Sequence, residues 1–295
     1  MHGWIILDKP AGITSSKALY KFKKFLPRKH KLGHGGTLDP FATGVLPVAV
    51  GEATKLISYA MDGVKTYEFT VFWGKQTDTG DLDGAFTHES DHLPTKEDIQ
   101  KILPGFFGVI DQTPPVYSAL KIDGKRACDR VRAGEDVVMK PRQVTIHNLK
   151  LIGIIDKNHA KFEVTCGKGT YVRSLAQDMA LKLKTYAYIK VLRRTKVGQF
   201  LIQNAKSLDY LLEKATHSAL KECIYSVEHV LDDIPAILIT EEETVKLKRG
   251  MGISPTAPSG FQQEGAVVAC MHNEELIAMT YVKDNQLLPK RVFNL

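Results

Sequence analysis

Residues 33–51 read GHGGTLDPFATGVLPVAVG, and the reading of this stretch decides what the rest of the chain is for. Gly33, Gly35 and Gly36 crowd the first half. Residues without a Cβ let another backbone come close, as when a site must admit a nucleotide. Asp39 is the one carboxylate of the stretch, and Pro40 biases it toward an extended backbone. The apolar second half reads as a buried strand. Two readings of Asp39 stand side by side at this level. It is a turn opener that caps its own loop, or it is a carboxylate presented to a ligand.

Upstream, no Asp or Glu occurs between Asp8 and Asp39, while Lys9, Lys17, Lys21, Lys23, Lys24, Arg28, Lys29 and Lys31 do. A second acid-free stretch from Asp178 to Asp209 carries Lys182, Lys184, Lys190, Arg193, Arg194, Lys196 and Lys206. Two long windows of one sign attract a polyanion and speed its arrival, and they give the net charge of +7 its meaning. The chain has 295 residues, 43% hydrophobic and 25% charged, enough for a large folded domain plus a small one. No apolar run reaches the ~18–20 residues that cross a bilayer. The four scattered cysteines form no C-x-x-C pair, which suits reduced thiols in a cytoplasm.

Around the opening stretch the pattern predicts a strand at 3–8. A helix follows that carries Ala18, Leu19, Phe22, Phe25 and Leu26 and is closed by Pro27, and KHKLGHGGTLDP is irregular. A helix follows at ATKLISYAM, a strand at TYEFTVFWG and a polar loop at KQTDTGDLDG. Thr95 starts a short helix, and KFEVTCGKGTYVRSLAQDMALKL reads strand, glycine turn, helix. Strands and helices mix without βαβ periods, so an α+β fold with a mixed sheet is expected. From about 231 to the end, short strands such as AVVACMH and LIAMTYV suggest a separate β-rich module.

Three local patterns lose on inspection. HESDH at 88–92 fits H-E-x-x-H, but no helical periodicity surrounds it and Pro94 follows closely. TDTGDLDG lacks the twelfth-position glutamate of a calcium loop. GKGT at 167–170 lacks the leading glycine of a phosphate loop, since Phe162 stands there.

GHGGTLDPFATGVLPVAVGEATK resembles the defining motif of the TruB family of tRNA pseudouridine synthases. LDKPAGITS, KTYEF, QTDTGDLDG, PPVYSALKIDGKRA and GKGTYVRSLAQD are similar to further family motifs, in order, across most of residues 3–200. The resemblance implies isomerisation of a uridine, position 55 in the T loop of tRNA, with the base flipped out of its stack. Asp39 would be the nucleophile, Tyr67 would pack against the base and assist, and Arg173 would pair with Asp39. His34 would help extrude the nucleotide, and Tyr171 and Leu192 would line the base pocket. It further implies a mainly antiparallel central sheet in a catalytic domain spanning 1–230, with a thumb-like insertion at about 105–145. A PUA-like RNA-binding domain would occupy 231–295. The isomerisation involves no redox change and no net addition, so it demands no metal or cofactor. A carboxylate can serve as covalent nucleophile, and a guanidinium is its geometric complement. A cytoplasmic monomer acting on the T stem-loop without a membrane or obligatory protein partner is the implied setting. Where many relatives have aromatic residues after the SALK run, this chain has ACDRVRAG. Lys121, Lys125, Arg126, Arg130 and Arg132 remain there as candidate phosphate contacts. The rival readings are a guide-RNA-dependent synthase, a non-catalytic RNA-folding module, and a zinc peptidase using His88 and His92.

Overall fold

The computed structural model describes residues 1–24, 26, 30–213, 220, 222–254 and 263–295. The chain begins with β1 (Gly3–Lys9), α1 (Ser15–Lys23), β2 (Leu32–His34) and β3 (Thr43–Val50). A 3₁₀ turn (Gly51–Leu56) leads into α2 (Ile57–Asp62) and β4 (Lys65–Trp73). A hairpin of β5 (Lys75–Thr77) and β6 (Phe86–Glu89) precedes α3 (Lys96–Ile102) and β7 (Gly108–Gln112). The chain then leaves the sheet, makes the small hairpin β8 (Lys121–Ile122) and β9 (Lys125–Arg126) with α4 (Ala127–Arg132), and returns as β10 (Arg142–Asp156). It continues through β11 (His159–Cys166), α5 (Val172–Lys182), β12 (Ala187–Val197), β13 (Phe200–Leu201), β14 (Lys206–Ser207) and α6 (Leu208–Glu213). The C-terminal part holds β15 (Ala236–Leu238), α7 (Glu241–Lys248), β16 (Val267–His272), β17 (Glu275–Lys283) and β18 (Gln286–Val292).

Among the described residues ten strands form one sheet, in the order β14-β1-β3-β12-β4-β11-β10-β7, with β2 beside β3 and β13 beside β12. Pairing is antiparallel except for β1 with β14 and β3 with β12, the mixed, mainly antiparallel arrangement expected. β15–β18 form a separate four-stranded sheet, a small C-terminal β domain.

β1 shows why the sheet reads as it does. GWIILDK has no alternation because both its faces are covered. Ile5 and Leu7 join the core under α1 and α5 with Phe22, Phe69, Leu175 and Met179. Trp4 and Ile6 point the other way and pack with Ala49 and Phe200 against Met279 and Phe293 of the C-terminal part. The small domain is therefore fastened to the back of the sheet, and Asn294 N–H donates to Glu52 at 2.9 Å as part of that seam. A third cluster, including Ile237, Leu247, Val268 and Leu287, is the small domain's own core.

Helix starts follow local chemistry. Thr14 caps α1 by accepting from Lys17 N–H, and Thr95, the expected start of α3, forms a full capping box with Asp98. Phe25 and Pro27, expected at the end of the first helix, lie outside the described residues. Two expectations are corrected. Leu32–His34 is strand, because Val48–Val50 offer it a free edge, and the polar loop after β4 begins with the strand β5. His88 and Glu89 lie on exposed β6, where successive side chains point to opposite faces, so the helix that a zinc peptidase needs is not there. Among the described residues no helix is long and apolar enough to cross a membrane, and no three His, Cys, Asp or Glu side chains gather as a metal-ligand set.

Trp4 is fully buried, packs at a tilt with its ring centroid 5.2 Å from that of Phe200 and donates its indole N–H to Val227 O at 3.0 Å. Trp4→Ala is expected to destabilise the fold by about 3–5 kcal/mol, read from the denaturant midpoint.

Candidate active site

A cleft of about 620 Å³ opens on the α5 side of the sheet. Asp39, Tyr67, Tyr171, Arg173, Leu192 and Arg194 are among its lining residues. Five of the sequence-expected site residues thus meet in one place. His34 is the exception: it stands on β2, at the entrance to the Asp39 loop but outside the cleft lining. Burial and the nearby Arg194 lower its pKa, and its Nδ1 is buried without a hydrogen-bond partner among the described residues.

The loop carrying Asp39 connects β2 to β3 and has too few hydrogen bonds of its own to fix its shape. Side chains distant in sequence supply the donors. Ser15 Oγ donates to Leu38 O at 3.0 Å and accepts from Leu38 N–H at 2.9 Å. Lys9 is fully buried, and its ammonium donates to Pro10 O, Ile13 O and Pro40 O at 2.8, 2.8 and 3.2 Å. Arg194, 1% exposed, donates to Val45 O at 2.8 Å, Gly36 O at 3.0 Å and Thr37 O at 3.5 Å. The Asp39 carbonyl closes the turn by accepting from Ala42 N–H at 3.1 Å. Asp39 is therefore a turn opener and a presented carboxylate at once: its backbone makes the turn and its side chain points into the cleft.

Arg173 sits in the first turn of α5, where a cation meets the positive end of the helix dipole. Its partners offset that. Its Nε lies 3.0 Å from Asp39 Oδ2 and its Nη1 lies 3.4 Å from Asp81 Oδ2. The guanidinium also donates to Thr79 O at 2.7 Å and to Tyr117 O at 2.9 Å. The Asp39 side chain is 34% exposed and that of Asp81 only 7%. Burial raises the Asp81 pKa, opposed by the Thr79 hydroxyl, Arg173 and the Asp83 N–H. This second carboxylate has no role assigned from sequence, where TDTGDLDG is weighed as a cation loop and QTDTGDLDG as a family-like motif with no site residue of its own. The hydroxyl of Thr79, two residues before Asp81, was the available signal, since it shapes the turn that aims this carboxylate.

Tyr67, half-buried on β4, has its phenol pKa raised by burial, against the Arg194 guanidinium bonded to it. It keeps its proton at neutral pH and acts there as an apolar face with a hydroxyl donor. Leu192, two residues before Arg194 on β12, gives the cleft an apolar wall. Lys65, also missed, lines the cleft and donates to Met61 O, and burial lowers its amine to about 8. Asp62 is the other lining carboxylate, but it is at the rim with a 60% exposed side chain paired to Lys168.

The acid-free windows also change meaning. Lys9 and Arg194, counted there as polyanion-attracting charge, are internal clamps. In the excursion, Arg126 pairs with Asp129 and Arg130 with Glu135, while Lys121, Lys125 and Arg132 are exposed.

Burial lowers the Lys9 amine from 10.5 to about 8, with Asp39 opposing the shift and Arg194 reinforcing it. The unfolded chain then binds more protons between these limits, so this group's contribution to stability rises with pH there. The clamp moves the other way, because a neutral amine has two N–H donors for three carbonyls. Activity is expected to fall as pH rises through about 8 while the melting temperature does not. In Lys9→Met, part of that alkaline limb should disappear; parallel pH–rate profiles and melts check both.

Comparison with known proteins adds the family. Residues 23–172 match TruB family pseudouridylate synthase (N terminal domain), and 173–232 match tRNA pseudouridylate synthase B C-terminal domain. The junction between the two falls just before Arg173 and splits the sheet, since β12 lies between β3 and β4. A tRNA pseudouridine synthase B of Bradyrhizobium diazoefficiens is 45% identical, covering 100% of this chain and 86% of the relative. That of Zymomonas mobilis subsp. mobilis is 44% identical, covering 100% and 96%. Among solved structures, a chain in a crystal structure of a Cbf5-Nop10-Gar1 complex superposes with a TM-score of 0.75 at 25% identity, covering 99% of this chain and 84% of that one. With sequence likeness at this level along its whole length, the chain belongs to the TruB family of pseudouridine synthases.

Proposed function

We propose that the chain isomerises uridine 55 in the T loop of tRNA, with Asp39 as nucleophile. The observation that carries this reading is the pairing of Asp39 with Arg173 in the depth of a cleft walled by Tyr67, Tyr171 and Leu192. The glycosidic bond from N1 to C1′ breaks, the uracil turns, and C5 bonds to C1′. C5 gives up its proton and N1 gains one, so the product is an isomer. Attack by Asp39 divides the change into two easier steps. Arg173 holds the carboxylate at a fixed distance from the base, and its donation to backbone carbonyls keeps it from swinging away. A base enters such a cleft only after leaving its stack. The faces of Tyr67 and Tyr171 and the side chain of Leu192 replace the lost contacts. His34, on the strand leading into the loop, would hold the nucleotides next to the target.

The chain would act alone, in the cytoplasm. Exposed Lys121, Lys125 and Arg132 would meet phosphates of the T stem, and residues beyond about 231 would serve as a PUA-like module for the acceptor end. The names and 44–45% identity of the curated relatives favour tRNA over a guide-RNA particle.

Incubation of the purified chain with unmodified tRNA, followed by mapping of pseudouridine, tests the reading. Product at position 55 is expected from the wild type. Asp39→Asn should lose ~10³-fold or more in rate, with tRNA affinity changed only a few-fold. An inactive wild type sinks the substrate assignment, and an active variant sinks the nucleophile. Affinity should also fall about tenfold or more between roughly 50 and 200 mM salt, because phosphate contacts release counterions. Filter binding across that range measures it, and a flat response would contradict the phosphate contacts.

A further inference from the structure

The Tyr171 ring is aimed by residues outside its own segment. The chain leaves the sheet at Gln112, the last residue of β7, and returns at Arg142, the first of β10. These two are direct partners across the β7/β10 pairing, so the whole excursion hangs from one pair. Both reach to the segment that precedes α5. Gln112, 1% exposed, accepts the Tyr171 N–H on its Oε1 at 2.7 Å. Arg142 donates to Gly169 O at 2.7 Å and lies over the Tyr171 ring at 5.2 Å. Gly169 has φ +82, so the turn is held in a conformation that other residues rarely take.

Two further bonds join the same segment to the start of the excursion. Ser174 Oγ donates to Thr113 O at 2.7 Å, and Arg173 donates to Tyr117 O. Gly169, Tyr171, Arg173 and Ser174 are thus each bonded to the root of the excursion. A purely architectural pair would be expected to saturate its hydrogen bonds. Here Gln112 Nε2 and Arg142 Nε are both buried without a partner among the described residues. Arg142 also lines the cleft, so its guanidinium has one face on Tyr171 and one edge toward the substrate space.

We infer that Gln112 and Arg142 are positioning residues for the reaction: they fix the plane of Tyr171 and with it the side of the pocket facing Asp39. This rests on the function proposed above. Because the pair also anchors the excursion, RNA gripped by Lys121, Lys125 and Arg132 pulls on the same two residues that set the ring. Base capture and stem binding then share one foundation.

Kinetics of Arg142→Ala, Arg142→Lys, Gln112→Leu and Gln112→Glu on unmodified tRNA test this, each alone and in a Tyr171→Leu background. Arg142→Ala and Gln112→Leu are expected to lower kcat ~10-fold with KM within about threefold. Gln112→Glu, which keeps the acceptor, and Arg142→Lys, which keeps the charge, should recover part of the loss. In the Tyr171→Leu background the same changes should cost less than about twofold more, since residues acting through one side chain are not additive. Losses that multiply, or kcat unchanged beside an active wild type, overturn the inference. A readout independent of product is the 3-fluorotyrosine NMR signal of Tyr171, identified by its loss in Tyr171→Phe. It should shift or broaden in Arg142→Ala and Gln112→Leu but not in Lys125→Ala. An unmoved signal overturns the positioning role even if the tRNA assignment itself fails.

Discussion

The rest of the site depends on one constraint: the backbone carbonyls of the Asp39 loop need donors that the loop does not contain. The loop is short of N–H groups that can reach them, and Pro40 has none. A glycine-rich loop left to water would sample many shapes, and its carboxylate would have no defined place. Lys9, Ser15 and Arg194, from β1, α1 and β12, supply the missing donors. The loop therefore takes its shape only when three distant elements are in place. The geometry of the candidate site is in this sense a property of the sheet rather than of the loop.

Long cations suit this task better than neutral donors. An ammonium or a guanidinium serves several carbonyls at once, from a stem that packs against the core. Burying such charges is costly unless they are hydrogen-bonded and matched. Here Lys9 and Arg194 find carbonyls, while Arg173 finds two carboxylates as well. Among the side chains that line the cleft, Lys65, Arg142, Lys168, Arg173 and Arg194 stand against Asp39 and Asp62, so it carries more positive than negative charge. That excess complements a polyanion.

What could be read from the sequence follows from range. Thr95 announces its helix because capping is settled within four residues, and the apolar run of GWIILDK announces a strand, whose lack of alternation the structure explains by burial on both faces. β10, the longest strand, gave no such signal. Register shifts after Ile146, Leu151 and Ile154 break the period of two that alternation requires, and much of its outer half is exposed. Asp39, Tyr67, Tyr171, Arg173 and Leu192 were named by their likeness to a family, and the cleft assembles them. Asp81 was invisible as a site residue because only the tertiary structure brings its turn to α5. Lys9 and Arg194 were misjudged for the same reason, since a charge count along the chain cannot tell a buried clamp from a solvated face.

β12 shows how order along the chain bears on assembly. It enters between β3 and β4, parallel to the first and antiparallel to the second, although more than a hundred residues separate it from either. Gly44 permits the join, because a Cβ there would stand 2.1 Å from Arg194 O. Until β12 docks, Arg194 cannot reach Gly36, Thr37 or Tyr67, and Leu192 cannot close the cleft. Such distant pairing carries a loop-closure cost that only the completed sheet offsets, and it belongs late in folding. The Asp39 loop, clamped by Arg194, therefore takes its final shape only in molecules whose sheet is already whole.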